Sequence, residues 1–352
     1  MSAVTAGSVL VRESVRKPLA AMFSLLIAAN FAAWAWAFLE FRDKPVLLGT
    51  ALLAWVLGLR HAVDPDHIAA IDNVTRKLVQ SGERPIATGM WFALGHSTIV
   101  IIACALIAAL AGGVKDGMES FREIGAMIGV SVSSAFLLAI GLVNLAIFIG
   151  VFKTFREVKR TGRYREEDLD SLMNRHGFLA RILRPLFKFI QKPWHMYPLG
   201  FLFGLGFDTA TEIGLFAMAA ATSSEGVSLI SVMIFPALFT AGMALADAAD
   251  GALMLGAYEW AKKNPIRKLF YNLTITGASV FVALVIGSLQ ALGALSEKFK
   301  FSGLFWDAIN ALKEQFEFLG FMIIGFFVLA WLISAAVYRF GGYSTMQIER
   351  EA

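Results

Sequence analysis

The chain has 352 residues, of which 57% are hydrophobic and only 16% charged, with a formal net charge of +4 at pH 7 and a mean hydropathy of +0.66. Soluble domains carry about 25% charged residues, so water could not keep this surface dispersed and much of it must face lipid. A single cysteine, Cys104, excludes an intramolecular disulfide and a thiolate metal cluster, which leaves imidazole, carboxylate, thioether and backbone as metal donors.

Residues 1–18 form an N-terminal tail with Arg12, Arg16 and Lys17. The apolar stretch behind it is long enough to span a bilayer and has no cleavage-like end, so it reads as a membrane helix and not as a signal peptide. Stretches of similar length recur at 19–39, 46–71, 86–111, 124–152, 197–221, 229–258, 273–295 and 319–338. The alternation of a transmembrane β-barrel is absent, so helices alone satisfy the backbone in lipid. The expected fold is an all-α integral membrane protein, a polytopic bundle of about eight transmembrane helices with a bent or broken second helix. Helices one to four fill 19–152 and helices five to eight fill 197–338. A basic cytoplasmic loop, 153–196, separates them, and 339–352 is a C-terminal tail.

Positive charge sets the orientation. With the N-terminus cytoplasmic, the cytoplasmic segments hold 23 Lys and Arg and the opposite loops hold 7, Arg60 being the one left inside a span. Both termini are therefore expected in the cytoplasm of a multi-pass protein of the bacterial inner membrane. The loop 153–196 carries 11 of the basic residues and reads as a surface that meets anionic headgroups.

A charged side chain at the bilayer centre costs about 2.5–3.5 kcal/mol on insertion scales, so such residues are rare and face the bundle interior. Span two holds the densest group, from Arg60-His61 through Asp64-Pro65-Asp66-His67 to Asp72-Asn73. Imidazole and carboxylate together suit a borderline divalent transition metal. On a regular helix His61, Asp64 and His67 share one side while Asp66 points away. Pro65 removes a backbone donor and disfavours helical geometry at Asp64, which bends or breaks the helix there, and such a bend can swing Asp66 toward the same cavity. Asp72 and Asn73 lead toward the cytoplasmic end, where Arg76 and Lys77 begin. The purely structural alternative is internal pairing of Arg60 with Asp64 or Asp72.

In span three, Gly95-His96-Ser97-Thr98 offers another imidazole, either a ligand or a packed hydrogen-bonding group, beside a glycine that permits close helix approach. In span five, Asp208 and Glu212 are four apart and share a face, so a cation or a proton must sit between them. In span six, Asp247 and Asp250 are three apart, and Met243 reads as packing. Hydrogen bonding between helices is the alternative for both pairs. Three of the five histidines thus fall inside spans beside carboxylates. A faint internal echo relates Gly58-Leu59 to Gly204-Leu205 and Gly95-His96 to Gly242-Met243, as an inverted repeat around a central site would.

At these residues the chain resembles the nickel/cobalt transporter permeases. His61, Asp66 and His67 fill that family's helix-two pattern, a histidine, four residues, then Asp-His, with Arg60 and Asp64 also in place. Gly95-His96-Ser97-Thr98, the stretch Leu205 to Glu212, and the stretch Leu238 through Asp247 to Asp250-Gly251 match its motifs in helices three, five and six. Pro65 replaces the family's usual Ala, and Ala248 replaces the usual Thr and removes a hydroxyl beside Asp247.

The resemblance implies high-affinity uptake of Ni²⁺, Co²⁺ or both, for metalloenzyme or cobalamin synthesis. The metal is then a transported substrate and not a prosthetic group, and no residue is catalytic. His61, Asp64, Asp66 and His67 are the expected ligands. His96, Asp72, Asn73, Asp208, Glu212, Asp247 and Asp250 are expected to complete the site, orient it or line the path. The expected partners are the divalent ion and the lipid bilayer, with no nucleic acid. No Gly-x4-Gly-Lys-Ser/Thr loop or ATPase subunit is evident in the sequence. The rival readings are an exporter of the same fold and a membrane-embedded metalloenzyme that activates water at the same cluster.

Overall fold

The computed structural model describes residues 2–110, 115–161, 163–164, 190–206, 210–261, 265–340 and 349–350. In chain order its helices are α1 (Ser2–Phe41), α2 (Pro45–His61), α3 (Pro65–Gln80), α4 (Thr88–Leu110), α5 (Lys115–Thr161), α6 (Met196–Phe203), α7 (Ala210–Ser224), α8 (Leu229–Val232), α9 (Ile234–Ala261), α10 (Pro265–Phe299), α11 (Leu304–Glu314) and α12 (Phe316–Phe340). A two-residue parallel ladder also pairs Arg163–Tyr164 with Glu349–Arg350.

Six helices among the described residues are long and apolar enough to cross a membrane. Two bent pairs bring the number of spans to eight: Pro45–His61 with Pro65–Val79, and Pro193–Gly206 with Thr211–Ser224. The eight follow the eight apolar stretches of the sequence in order. Several helices outrun those stretches, α5 at 47 residues most of all. Hydropathy marks the part in contact with lipid, whereas a helix continues into water until something stops it, and at 1.5 Å per residue α5 far exceeds a hydrocarbon core of about 30 Å.

The bundle has a definite centre. In the most apolar window of the α8–α9 span 61% of residues are buried, against 17% in α1 and in α12, so α9 runs through the middle and the first and last helices face lipid. Asn30 ties α1 to this core: Trp55 Nε1 donates to its Oδ1 at 2.9 Å, and its Nδ2 donates to Ala241 O at 3.0 Å. Such interhelical polar bonds are a main source of cohesion where lipid removes the hydrophobic drive.

Span two breaks at residues 62–64 with a 51° bend. Val63 N donates to Arg60 O at 3.1 Å and Asp64 N to His61 O at 2.9 Å, which tightens the last turn of α2. Asp64 then adopts extended backbone at the N-cap of α3, and Pro65 takes the first helical position, where its missing N–H costs nothing. Residue 320 backs the break: a methyl on Gly320 would run into Val63 O. α3 is the most polar of these segments, yet from His67 to Val79 every side chain is buried.

Two tight crossings surround the break, and they mirror one another. A methyl on Gly58 would collide with Phe239 O, and one on Gly242 would lie 2.7 Å from Trp55 O. Equally, a methyl on Gly200 would collide with Phe92 O, and one on Gly95 with Tyr197 O. Span two therefore meets span six as span five meets span three. Gly95 corresponds to Gly242, as the sequence echo has it; Gly58 answers to Gly200 by its collision with a carbonyl, and Gly204, the echo's choice, also meets span three, where a methyl would lie 2.7 Å from His96 O.

Candidate metal site

His61 ends α2, His67 lies in the first turn of α3, and His96 projects from α4. All three are buried, at 2%, 1% and 3% exposure. Their ring centroids are 4.7 Å (His61–His67), 4.7 Å (His61–His96) and 4.9 Å (His67–His96) apart, and one ring nitrogen from each lies within 4.8 Å of the other two. The 51° bend of span two falls between His61 and His67.

His61 Nδ1 lies 2.7 Å from Asp64 Oδ2 and 3.0 Å from Thr211 Oγ1; a proton held on Nδ1 toward the carboxylate leaves Nε2 as the lone pair that a metal would take. His67 Nδ1 faces Asp247 Oδ2 at 3.2 Å and likewise leaves Nε2 free. His96 Nε2 lies 3.0 Å from Glu212 Oε1 and 2.9 Å from His61 Nε2. Two cis nitrogens on one ion, with bonds of about 2.1 Å, lie about 3 Å apart. The His61–His96 spacing has that value, so the pair can share one ion once the Nε2 proton that faces Glu212 leaves His96.

Asp64 is held on both sides, since its Oδ1 accepts from Arg60 Nη1 at 3.1 Å. The predicted Arg60–Asp64 pair is thus present, but the same carboxylate also contacts His61. Asp66 lines one cavity with Asp64. Its Oδ1 accepts from the His67 amide at 3.0 Å, and its Oδ2 accepts from Gln290 Nε2 at 3.2 Å. Asp247 Oδ1 and His96 Nδ1 have no hydrogen-bond partner among the described residues, and the missing hydroxyl at Ala248 accords with the first of these. Phe92, its ring edge-on to His67 at 4.8 Å, and Phe239, 5.5 Å from His61, close the apolar side.

Toward the far end of α3, Asp72 and Asn73 are fully buried. Asn73 Oδ1 accepts from Arg76 Nη2 at 3.0 Å and from Asn144 Nδ2. Arg76 and Lys77 do not mark the water boundary, as the sequence suggested. Arg76 is wholly buried, and Lys77 donates to Ile190 O at 2.8 Å, so the chain near residue 190 covers them. Asp250, three residues past Asp247 on α9, is half-buried. Asp208 lies outside the described residues. Sequence reading passed over Ser133, Asn144 and Gln290, uncharged polar residues in apolar helices with no charged neighbour to flag them.

The NicO family, described as high-affinity nickel-transport protein, matches residues 47–337. The chain belongs to that family. It is 54% identical over 327 residues to the high-affinity nickel transport protein of Cupriavidus necator, covering 93% of each chain. It is 54% identical over 321 residues to the hydrogenase nickel incorporation protein HupN of Bradyrhizobium diazoefficiens, covering 91% of this chain and 84% of the relative. It is 36% identical over 288 residues to the cobalt transport protein NhlF of Rhodococcus rhodochrous, covering 81% of each. No solved structure matches. The matched range begins in α2 and ends in α12, so all of the clustered histidines and carboxylates belong to the NicO part of the chain. As a member of this family the protein is a transporter and not an enzyme.

Proposed function

We propose that this protein takes up Ni²⁺ or Co²⁺ across the bacterial cytoplasmic membrane, with both termini in the cytoplasm, through an intramembrane site formed by His61, His67 and His96. The observation that carries the reading is the gathering of three of the chain's five imidazoles within 4.8 Å of one another, at a broken span, each in contact with a carboxylate. Buried neutral imidazoles and ionised carboxylates are donors that bind a borderline dication well, and they have no comparable use in a lipid-facing helix. The relatives named as nickel and cobalt transport proteins support the choice of ion.

Within this reading Asp64, Glu212 and Asp247 fix the ring orientations and offset the charge of the cation, and Asp66 stands where the ion arrives. Asp72, Asn73 and Asp250 line the way inward, and Asp208 joins Glu212 in span five. The inside-negative potential drives a cation inward by about 2.3 kcal/mol per charge per 100 mV, twice that for a dication. The mirrored crossings of spans two with six and five with three supply two bodies that rock about the site. The experiment is accumulation of radioactive nickel and cobalt by cells expressing the parent, His61→Ala or His67→Ala. The parent raises cellular metal and both variants lose that ability. Variants that accumulate metal like the parent defeat the site, and a parent that lowers cellular metal defeats the direction.

A further inference from the structure

A cavity of about 920 Å³ opens between α5, α10 and α11 and ends at the break in span two; Asp64, Asp66, Gln290, Glu297, Lys300 and Lys313 are among its lining residues. It lies on the side of the α10–α11 loop, which the charge distribution makes the outer side. We propose that Gln290 and Ser133 are positioning residues that hold the Asp66 carboxylate at the floor of this vestibule as the oxygen donor that receives an incoming dication next to the histidines. The inference rests on the transport reading above and assigns a role to two residues outside its histidine site.

The hydrogen bonds fix the arrangement. Ser133 Oγ donates its one proton to Gln290 Oε1 at 2.8 Å. That contact orients the amide so that Nε2 donates to Asp66 Oδ2 at 3.2 Å. Ser133 Oγ also lies 3.5 Å from Asp66 Oδ2, a longer contact in which the same hydroxyl proton is shared with the carboxylate. Asp66 Oδ1 is held from the other side by the His67 amide at the start of α3, where the helix dipole favours negative charge. Among the described residues no Lys or Arg pairs with Asp66, although Lys313 is near enough to line the same cavity. Lys313 is instead paired with Glu297 at 2.8 Å.

An all-oxygen post of this kind binds a hydrated dication through water or one carboxylate oxygen, weakly enough to pass it on. The handover is short, because the next residue is His67, and Asp64 touches both the cavity and His61.

The test is nickel uptake kinetics in proteoliposomes, with the amount of inserted protein measured for every variant. Gln290→Ala frees the carboxylate, so the KM for Ni²⁺ rises about tenfold while Vmax stays within about twofold. Ser133→Ala shifts KM in the same direction by less. Gln290→Glu places a second carboxylate beside Asp66 and makes a hard-oxygen pair. Its KM is at or below that of the parent, and Ca²⁺ or Mn²⁺, inert toward the parent, now inhibits. A parental KM in Gln290→Ala, a fall in Vmax at unchanged KM, or a Gln290→Glu variant that behaves like Gln290→Ala overturns the proposal. A parent that transports nothing overturns the transport reading itself, whereas an active parent with an inactive His67→Ala leaves that reading standing and isolates the result at Gln290.

Discussion

His67 on α3 and Asp247 on α9 are 180 residues apart in sequence and 3.2 Å apart in space, Nδ1 to Oδ2, with both side chains buried. A carboxylate on the remote nitrogen of a ligating imidazole fixes its tautomer and raises its basicity, and losing such a partner costs about 10–100-fold in metal affinity. Asp247→Ala therefore raises the KM for Ni²⁺ by about that factor. Asp247→Asn, whose amide oxygen still accepts from Nδ1, falls between the two. Uptake kinetics in cells check both, and an Asp247→Ala variant with parental KM removes the orienting role.

His61 and His96 form the closest nitrogen pair of the cluster, and removing either leaves the other without the geometry for which it is placed. Groups that act as a unit are strongly non-additive. His61→Ala and His96→Ala each lower Ni²⁺ affinity, and the double variant loses little beyond the worse single one. Calorimetric titration of detergent-purified protein measures this. Independent, multiplying losses would mean that the two rings do not hold one ion.

The spans were legible because lipid imposes one rule, a run of about twenty apolar residues, and that rule is local. The break was legible at Pro65 for the same reason. What joins the site is not local. Glu212 reaches His96 and Asp247 reaches His67 only through crossings set by Gly95, Gly200, Gly58 and Gly242, and no periodicity within a single helix encodes a crossing. The hold on Asp66 is equally non-local, since its partner Gln290 lies in a helix more than 200 residues later. The burial of Arg76 was hidden because a positive residue near a span end ordinarily means water.

The same crossings make a stability prediction. At Gly95 and Gly200 a methyl would meet backbone, which cannot rotate aside, whereas at Gly256 and Gly325 nothing lies within 4 Å. Overpacking costs about 1–3 kcal/mol or more when the neighbour cannot move. Gly95→Ala and Gly200→Ala lower the melting temperature in detergent or fail to insert. Gly256→Ala and Gly325→Ala melt like the parent or slightly above it. Equal melting of all four would remove the tight crossing.

Pro65 is the residue at which the sequence departs from the pattern it resembles, and the structure says how much of the break depends on it. Three features hold the break without the pyrrolidine ring: the short bonds Val63 N to Arg60 O and Asp64 N to His61 O, the extended backbone of Asp64, and the seat that Gly320 gives Val63. An Ala at the first helical position adds an N–H that has no partner within the helix, but Asp64 and Asp66 line a cavity there, so water reaches it. The remaining effect is the freer unfolded chain, worth up to about 1 kcal/mol. Pro65→Ala therefore keeps Ni²⁺ uptake within about threefold of the parent and lowers the melting temperature only slightly. Gly320→Ala, which pushes on Val63 O, loses far more uptake although it lies on another helix. If Pro65→Ala instead abolishes uptake as His67→Ala does, the ring itself makes the break and the seat at Gly320 is incidental.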